Sequence, residues 1–375
     1  MNIKGLLLGS AAALVAVSGA RAADAVVIAE PEPVEYVRVC DTYGVGFYYI
    51  PGTETCLKVS GYMRYRIGVG ERGYPDVADK EDILEGGPVD FNDTYRKLAR
   101  FALRVDSRSE TELGTLRTYA HINFNYDTFV DDADLTYTAD GVGIDHAYIE
   151  LGGFRVGKTD SLFTTFTGYS SGVLSDGLVA YGPFGTHQIA YTFNGGNGFT
   201  AAVALEEGGD GEGAYDEFSY ALDSYVPHVV GGIGWTGGWG GISVVGGYDA
   251  VYGEGAVKGR VDFNASDALS LFVMGAWASN DDETLADAQN YYAPWGGEWA
   301  VWGGGAWKFN EKATMNLEIG YDDFENFSAA ASLDYELVEN FVVTPEVTYR
   351  DNFDNDRFED NEWGARLQFQ ANFGG

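Results

Sequence analysis

Apolar and polar side chains alternate along much of the chain after residue 56. In residues 57–69 the odd positions are apolar or small, whereas the even positions include Lys58, Arg64 and Arg66. Successive side chains of a β-strand point to opposite faces, so a period of two predicts a strand with one apolar and one polar face. We therefore expect a strand here and in every segment that repeats the pattern.

Sixteen segments carry this alternation with varying clarity, and together they predict an all-β protein. A strand that crosses a membrane needs roughly 9–11 residues, which is close to the length of most of these segments. They cover residues 57–69, 95–106, 116–126, 143–151, 153–158, 187–194, 198–206, 226–236, 239–249, 255–265, 268–278, 298–309, 313–321, 327–335, 341–350 and 365–373.

Two architectures can accommodate such strands, a soluble β-sandwich and a membrane-spanning antiparallel β-barrel. In a sandwich the apolar faces meet in a core, whereas in an outer-membrane barrel they face lipid and the polar faces line a lumen. Aromatic residues near the strand ends favour the barrel, because such barrels carry aromatic girdles at both lipid interfaces. We therefore predict a transmembrane antiparallel β-barrel of about 16 strands.

Residues 1–22 have the features of a secretory signal peptide. Lys4 precedes a short apolar run, and Ala20-Arg21-Ala22 fits the small-residue cleavage rule, which places cleavage after Ala22. An uncleaved anchor is the alternative, but the apolar run is too short for a stop-transfer helix. The chain is therefore expected to be exported and to reside in the outer membrane.

Charge and composition exclude two further classes of protein. The 375 residues include 23 Lys and Arg against 57 Asp and Glu, which gives a formal net charge of −34. We expect no nucleic-acid partner, because phosphate contacts need a basic surface. Aromatic residues make up 15% of the chain, which is too many for a disordered protein.

The chain has 2 cysteines, Cys40 and Cys56. An even number in an exported chain favours a disulfide bond, and a metal-binding pair or two free thiols are the alternatives. If the bond forms, residues 23–56 are an N-terminal disulfide-closed segment and residues 57–375 are the barrel.

Positive charge is concentrated on the polar faces of the first three predicted strands. Because these strands are neighbours, their inward rows should form a basic wall that lines the pore. The alternatives are a solvated basic face of an ordinary sheet and a helix with arginines four residues apart. The expected wall consists of Lys58, Arg64, Arg66, Arg96, Arg100, Arg104, Arg108 and Arg117.

Several stretches of sequence resemble the alphaproteobacterial porin family. They are Val34-Glu-Tyr-Val-Arg-Val-Cys40-Asp-Thr-Tyr-Gly-Val-Gly-Phe-Tyr-Tyr-Ile-Pro51-Gly-Thr-Glu-Thr-Cys56, Gly153-Phe-Arg-Val-Gly-Lys158 and Trp363-Gly-Ala-Arg-Leu-Gln-Phe. The resemblance implies a 16-stranded, homotrimeric porin embedded in outer-membrane lipids and lipopolysaccharide. Small hydrophilic solutes would cross its water-filled pore by passive diffusion.

The same resemblance implies that the loop after the fifth strand folds inward and constricts the barrel. Residues 159–186 occupy this position, lack clean alternation and are rich in glycine. They contain Asp160 and Asp176, which we expect to face the basic wall across the narrowest section. A charged constriction of this kind would select among permeating solutes.

Two other functions stay open from the sequence, an outer-membrane barrel enzyme and a soluble exported β-sheet binding protein. No Gly-x-Ser-x-Gly or His-Glu-x-x-His pattern surrounds the histidines, so no catalytic residue is expected. No cofactor or metal site is expected either. Acidic loop residues rich in oxygen ligands could bind divalent cations, namely Glu206, Glu207, Asp210, Glu212, Asp281, Asp282 and Glu283.

Overall fold

A computed structural model describes residues 38–209, 219–280, 289–352 and 362–374. Antiparallel strands dominate these residues. None of the helices in these ranges is both long enough and apolar enough to cross a membrane.

The strands follow one another along the chain with short connections, and sixteen of them, β2 and β5–β19, form a single closed sheet. The bounds are β1 (Tyr48–Tyr49), β2 (Cys56–Gly70), β3 (Tyr74–Ala78), β4 (Phe91–Thr94), β5 (Arg96–Thr111), β6 (Gly114–Val130), β7 (Thr136–Leu151), β8 (Phe154–Asp160), β9 (Gly185–Gly196), β10 (Phe199–Glu206), β11 (His228–Gly237), β12 (Gly240–Tyr248), β13 (Gly255–Ser266), β14 (Leu269–Ala278), β15 (Trp299–Asn310), β16 (Ala313–Asp322), β17 (Phe327–Val338), β18 (Phe341–Asp351) and β19 (Glu362–Phe373).

The sheet closes because its first and last long strands pair with each other. Strand β19 runs antiparallel to β2, with Phe373 opposite Gly61 at one end and Gly364 opposite Gly70 at the other. Every other long strand pairs with its neighbours in sequence. The prediction of a closed antiparallel barrel of 16 strands is confirmed, and closure leaves no unpaired sheet edge in the membrane.

The alternation read from the sequence separates the two surfaces of the barrel. Large apolar side chains such as Met63, Val142 and Val273 remain 57%, 70% and 67% exposed on the outer surface. Polar side chains such as Gln188 and Glu318 are buried on the inner surface. A soluble protein has the reverse arrangement, with apolar side chains inside and polar ones outside. Apolar side chains on the outer surface suit a sheet that is surrounded by hydrocarbon.

The two rims of the barrel differ. At one rim, the turn rim, two-residue turns join the strands, at 112–113, 152–153, 197–198, 238–239, 267–268, 311–312 and 339–340. At the other, the loop rim, the connections are mostly longer. The first of them, after β2, contains β3, β4 and helix α1 (Lys80–Glu85).

Local sequence explains where α1 begins and ends. The Asp79 side chain accepts a hydrogen bond from the backbone N–H of Glu81 at 2.8 Å and caps the N-terminus. Gly86 ends the helix in the left-handed conformation, with φ of 71°, which glycine adopts without steric cost. The sequence pattern does not predict this helix, because its six residues are too few to show a helical period.

The boundaries of two predicted elements shift. The fourth barrel strand begins at Thr136 rather than near residue 143. The predicted inward loop of 159–186 narrows to 161–184, because pairing between β8 and β9 continues to Asp160, which lies opposite Gly185. Asp160 is therefore a strand residue at the base of the loop.

Candidate functional site

The connection after the fifth barrel strand, residues 161–184, folds into the barrel and is called the constriction loop below. It begins with helix α2 (Leu162–Thr165). Three buried carboxylates on the inner wall, Glu206, Glu318 and Glu346, accept hydrogen bonds from it. The donors are Ser161 Oγ and Leu162 N to Glu206, Ser170 Oγ and Gly177 N to Glu318, and Leu174 N, Ser175 N and Ser175 Oγ to Glu346.

Donors on strands β13 and β15 bind the carbonyl groups of the same loop. Because a loop has few backbone partners of its own, these side chains replace the hydrogen bonds that a regular element would supply. The contacts are Lys258 Nζ to Tyr181 O at 2.7 Å, Arg260 Nη1 to Tyr169 O at 2.6 Å and Trp302 Nε1 to Val179 O at 2.9 Å.

Apolar packing places the constriction loop against one side of the barrel. Phe163 and Tyr181 are fully buried in a cluster with inward side chains of strands β9–β15, and Tyr292 from a later loop joins them. Glycines make room for the rings. A Cβ atom at Gly232 would approach the ring of Phe166 to 2.6 Å.

A row of four polar side chains crosses the opposite wall. Gln370 on β19, Arg64 on β2, Arg100 on β5 and Asn125 on β6 occupy directly paired positions on consecutive strands. Arg64 donates from Nε and Nη2 to Gln370 Oε1 at 2.8 and 2.6 Å. Arg100 donates from Nε to Asn125 Oδ1 at 2.7 Å. Neutral amides therefore orient both guanidinium groups without cancelling their charge.

Two neighbouring arginines, Arg66 and Arg104, also keep their charge without a carboxylate partner in the described residues. Arg66 donates to Gln368 Oε1, with the Nη2 bond at 2.7 Å. Arg104 lies 5.3 Å from the centroid of the Tyr62 ring, and its buried Nε has no hydrogen-bond partner. Within the part of the chain that the structure describes, none of Arg64, Arg66, Arg100 and Arg104 forms a salt bridge.

The remaining residues of the expected wall are differently placed. Near the turn rim, Arg108 and Arg117 both bind Asp106, with Nη2–Oδ2 distances of 2.8 and 2.9 Å. Arg117 also binds Glu150, which in turn binds Arg155. Carboxylates thus neutralise this part of the wall, and the contiguous unneutralised charge lies farther toward the loop rim.

Lys58 and Arg96 lie at the two ends of the wall. Lys58 donates to the carbonyl of Val45 at 3.0 Å and so holds the N-terminal segment. Arg96 pairs with Asp127 at 3.5 Å, and its side chain is about half exposed.

The two expected acidic residues bind tyrosines rather than arginines. Asp160 accepts a hydrogen bond from Tyr169 at 2.6 Å, and Asp176 accepts one from Tyr181 at 2.7 Å. Asp176 lies near enough to Arg66 for their charges to interact. Burial raises the pKa of the Asp176 carboxyl above its usual value, although the Tyr181 hydrogen bond and the Arg66 charge act in the opposite direction.

The expected disulfide between Cys40 and Cys56 is present. It buries both sulfur atoms against Phe47 and ties residues 40–56 to the start of β2. Most of the acidic residues that were expected as possible cation ligands lie outside the described residues. Glu206 is occupied in anchoring the constriction loop, and Asp210, Glu212, Asp281, Asp282 and Glu283 lie outside the described residues.

Comparison with known proteins identifies the family. The profile of the porin subfamily matches residues 24–372. The chain belongs to this porin subfamily. It is 49% identical over 380 residues to the porin Omp2b of Brucella neotomae, with complete coverage of both chains, and 48% identical to that of Brucella melitensis.

Solved structures support the fold of this porin. The outer-membrane channel DcaP of Acinetobacter baumannii aligns with a TM-score of 0.60 at 18% identity, covering 87% of this chain and 99% of that one. OprB of Pseudomonas putida aligns with a TM-score of 0.54 at 10% identity, covering 84% and 94%.

The porin is thus an outer-membrane channel for passive diffusion, not an enzyme, because its relatives are named porins. Three residues that orient the guanidinium groups were not predicted from the sequence, namely Gln368, Gln370 and Asn125. The role of the carboxylates that anchor the constriction loop was not predicted either. The only sequence signal for either set is that each occupies the polar face of a strand.

Proposed function

We propose that small hydrophilic solutes cross this porin between the constriction loop and the basic wall, and that anions pass more readily than cations. The loop and its apolar contacts occupy the side of strands β9–β15. Glu346 on β18 and Arg366 on β19 bind Leu174 and Ser175 of the loop, so the free part of the lumen lies against β2, β5 and β6. Solutes in that space meet Arg64, Arg66, Arg100 and Arg104 at close range.

The observation that carries the proposal is that these guanidinium groups form no salt bridge in the described part of the chain, while amides bind Arg64, Arg66 and Arg100. A salt-bridged arginine contributes little net field, whereas Arg64 and Arg100 are bound by neutral Gln370 and Asn125. Fixed positive charge in a narrow, low-dielectric passage concentrates anions and repels cations. Asp176, on the loop, provides the facing negative charge near Arg66.

Reversal potentials in planar bilayers test this route. Under a tenfold KCl gradient, we expect the wild type to favour chloride, and the double variant Arg100→Ser/Arg104→Ser to shift toward potassium and to conduct more. Arg155→Gln is the matched control, because Arg155 faces the same lumen but is neutralised by Glu150. A double variant with the same reversal potential and conductance as the wild type would contradict the proposed route.

We also propose that residues 1–22 are removed on export, that residues 23–56 form a disulfide-closed segment before the barrel of 57–375, and that the mature chain is a homotrimer among outer-membrane lipids and lipopolysaccharide. The family resemblance and the apolar outer surface support this assembly. Diffusion through a water-filled lumen needs no cofactor. Intact-mass measurement and detergent gel electrophoresis of unheated outer membranes test cleavage and assembly.

A further inference from the structure

Three arginines of the basic wall are grouped around one tyrosine. Arg64 lies 4.4 Å and Arg104 lies 5.3 Å from the centroid of the Tyr62 ring. Arg100 is directly opposite Arg64 in the pairing of β2 with β5. Arg100 and Arg104 both lie near enough to Arg64 to interact with its charge.

This arrangement is unfavourable unless something else balances it. Like charges on directly opposed strand positions destabilise a sheet, and charges partly withdrawn from water, as these half-buried groups are, favour a partner of opposite sign. In the described part of the chain the three guanidinium groups form no salt bridge, and the hydrogen bonds to Gln370 and Asn125 use only some of their donors. Asp145, an acid on the same wall, is engaged by Asn123 and lies 3.5 Å from His121.

Unused hydrogen-bonding atoms lie on the adjacent strand. His121 pairs in register with Arg104, and Asn123 lies between His121 and Asn125 on the inward face of β6. These two side chains are 6% and 3% exposed, yet His121 Nε2 and Asn123 Oδ1 have no hydrogen-bond partner. Buried polar atoms without partners are uncommon in native proteins. His121 Nε2 carries a donor hydrogen in one tautomer and can bind an anion, whereas Asn123 Oδ1 only accepts hydrogen bonds.

We propose that Arg64, Arg100 and Arg104, with His121 beside them, form a binding site for a small oxyanion that bears a phosphate or carboxylate group. The planar guanidinium group matches two oxygen atoms of either group and binds both strongly. This inference rests on the proposed function, because the ligand reaches the site through the lumen. The porin would then enrich small phosphorylated or carboxylated solutes over neutral ones of equal size.

Block of the chloride current tests the site. Channels in planar bilayers are titrated at pH 7 and constant ionic strength with inorganic phosphate or with succinate. We expect each ligand to reduce the wild-type current at millimolar concentration. Arg100→Gln and Arg104→Gln should each raise the half-blocking concentration about tenfold, the change that corresponds to one strong contact. Arg155→Gln should leave it unchanged.

Lysine variants separate charge from geometry. Arg100→Lys keeps the charge but loses the two-pronged donor, so it should keep the chloride preference and still bind phosphate more weakly than the wild type. Block by phosphate alone would restrict the ligand class to phosphate, and block by succinate alone to carboxylate. A wild type that conducts but is blocked by neither ligand, or equal block of the wild type and Arg100→Gln, would overturn the site and leave the proposed route intact. A wild type without conductance would instead overturn the proposed function.

Discussion

Arg64 and Arg100 lie directly opposite each other on strands β2 and β5, and an amide rather than a carboxylate holds each guanidinium group. Opposed like charges cost a sheet stability, typically by about 0.2–1 kcal/mol per pair. A carboxylate at position 370 or 125 would remove that cost and cancel the charge. The basic wall is therefore somewhat less stable than a neutralised wall would be, but its positive charge is not cancelled.

Replacing one of the opposed arginines should therefore not weaken the fold. For Arg100→Gln we expect a free energy of unfolding equal to the wild type or up to about 1 kcal/mol higher, with a reduced chloride preference. Denaturant unfolding in detergent micelles measures the first quantity and the reversal potential the second.

Arg117→Gln provides the contrast to this variant. It removes a partner of both Asp106 and Glu150, so the free energy of unfolding should fall. If Arg100→Gln destabilised the barrel as much as Arg117→Gln, the opposed arginines would be structural.

The constriction loop should loosen when an anchoring carboxylate is neutralised. Glu346→Gln weakens charge-assisted hydrogen bonds from Leu174 and Ser175, which are worth about 1.5–3 kcal/mol each to an ionised group. We expect noisier single-channel currents and faster cleavage of the loop by protease. Glu336→Gln, which alters a carboxylate at a turn on the other rim, should change neither.

A methyl group on one inner-wall glycine should displace a buried tyrosine. A Cβ atom at Gly247 would lie 2.5–2.8 Å from ring atoms of Tyr292, whose hydroxyl donates to Glu206 at 3.1 Å. Gly247→Ala should lower the free energy of unfolding by about 1–3 kcal/mol, as overpacking does. Gly143→Ala is the control, since nothing lies within 4 Å of its Cβ position. Equal stability of the two variants would mean that Tyr292 is not packed on Gly247.

Reduction of the Cys40–Cys56 bond should destabilise the N-terminal segment. The bond closes a loop with a sequence separation of 16, for which the chain-entropy estimate is about 3 kcal/mol. We expect dithiothreitol to lower the unfolding midpoint of the wild type. The double variant Cys40→Ser/Cys56→Ser should have that lower midpoint without reductant, and dithiothreitol should not lower it further. If dithiothreitol lowered the midpoint of the double variant too, the effect on the wild type would not come from the disulfide bond.

Acid should change selectivity through Asp176. Because burial raises the pKa of this carboxyl, it takes up a proton at a higher pH than an exposed aspartate does as the pH falls. Loss of its negative charge beside Arg66 should increase the chloride preference in that pH range. Reversal potentials recorded from pH 7 downward should show this step in the wild type and not in Asp176→Asn. If Asp176→Asn showed the same pH-dependent change in chloride preference, that change would come from the titration of another group.

The barrel was predictable from the sequence because strand alternation is a local property. Each predicted segment needs only its own residues, and polar-face residues such as Arg64 and Arg100 can be recognised in that way. The disulfide followed from cysteine number and export. The prediction that about sixteen strands close into a barrel also used the aromatic residues near the strand ends, and the family resemblance implied the same number.

The partners of the arginines were not predictable, because they depend on strand register and closure. Arg64 and Gln370 are 306 positions apart and meet only when β19 pairs with β2. The anchors of the constriction loop have the same origin. Glu346 contacts residues 171 and 172 positions away. No local pattern distinguishes such a glutamate from one that faces water.

The central claim, that alternate residues of β5 face water and lipid, is tested most directly by thiol modification of adjacent positions. Both native cysteines are in the disulfide, so Arg100→Cys and Phe101→Cys each supply one new thiol. Phe101 stacks on Phe124 and Phe373, with centroid distances of 5.9 Å. A cationic thiol reagent added to conducting bilayers should change the current and restore chloride preference in Arg100→Cys, and leave Phe101→Cys unaffected. A current change in Phe101→Cys without one in Arg100→Cys would contradict the account.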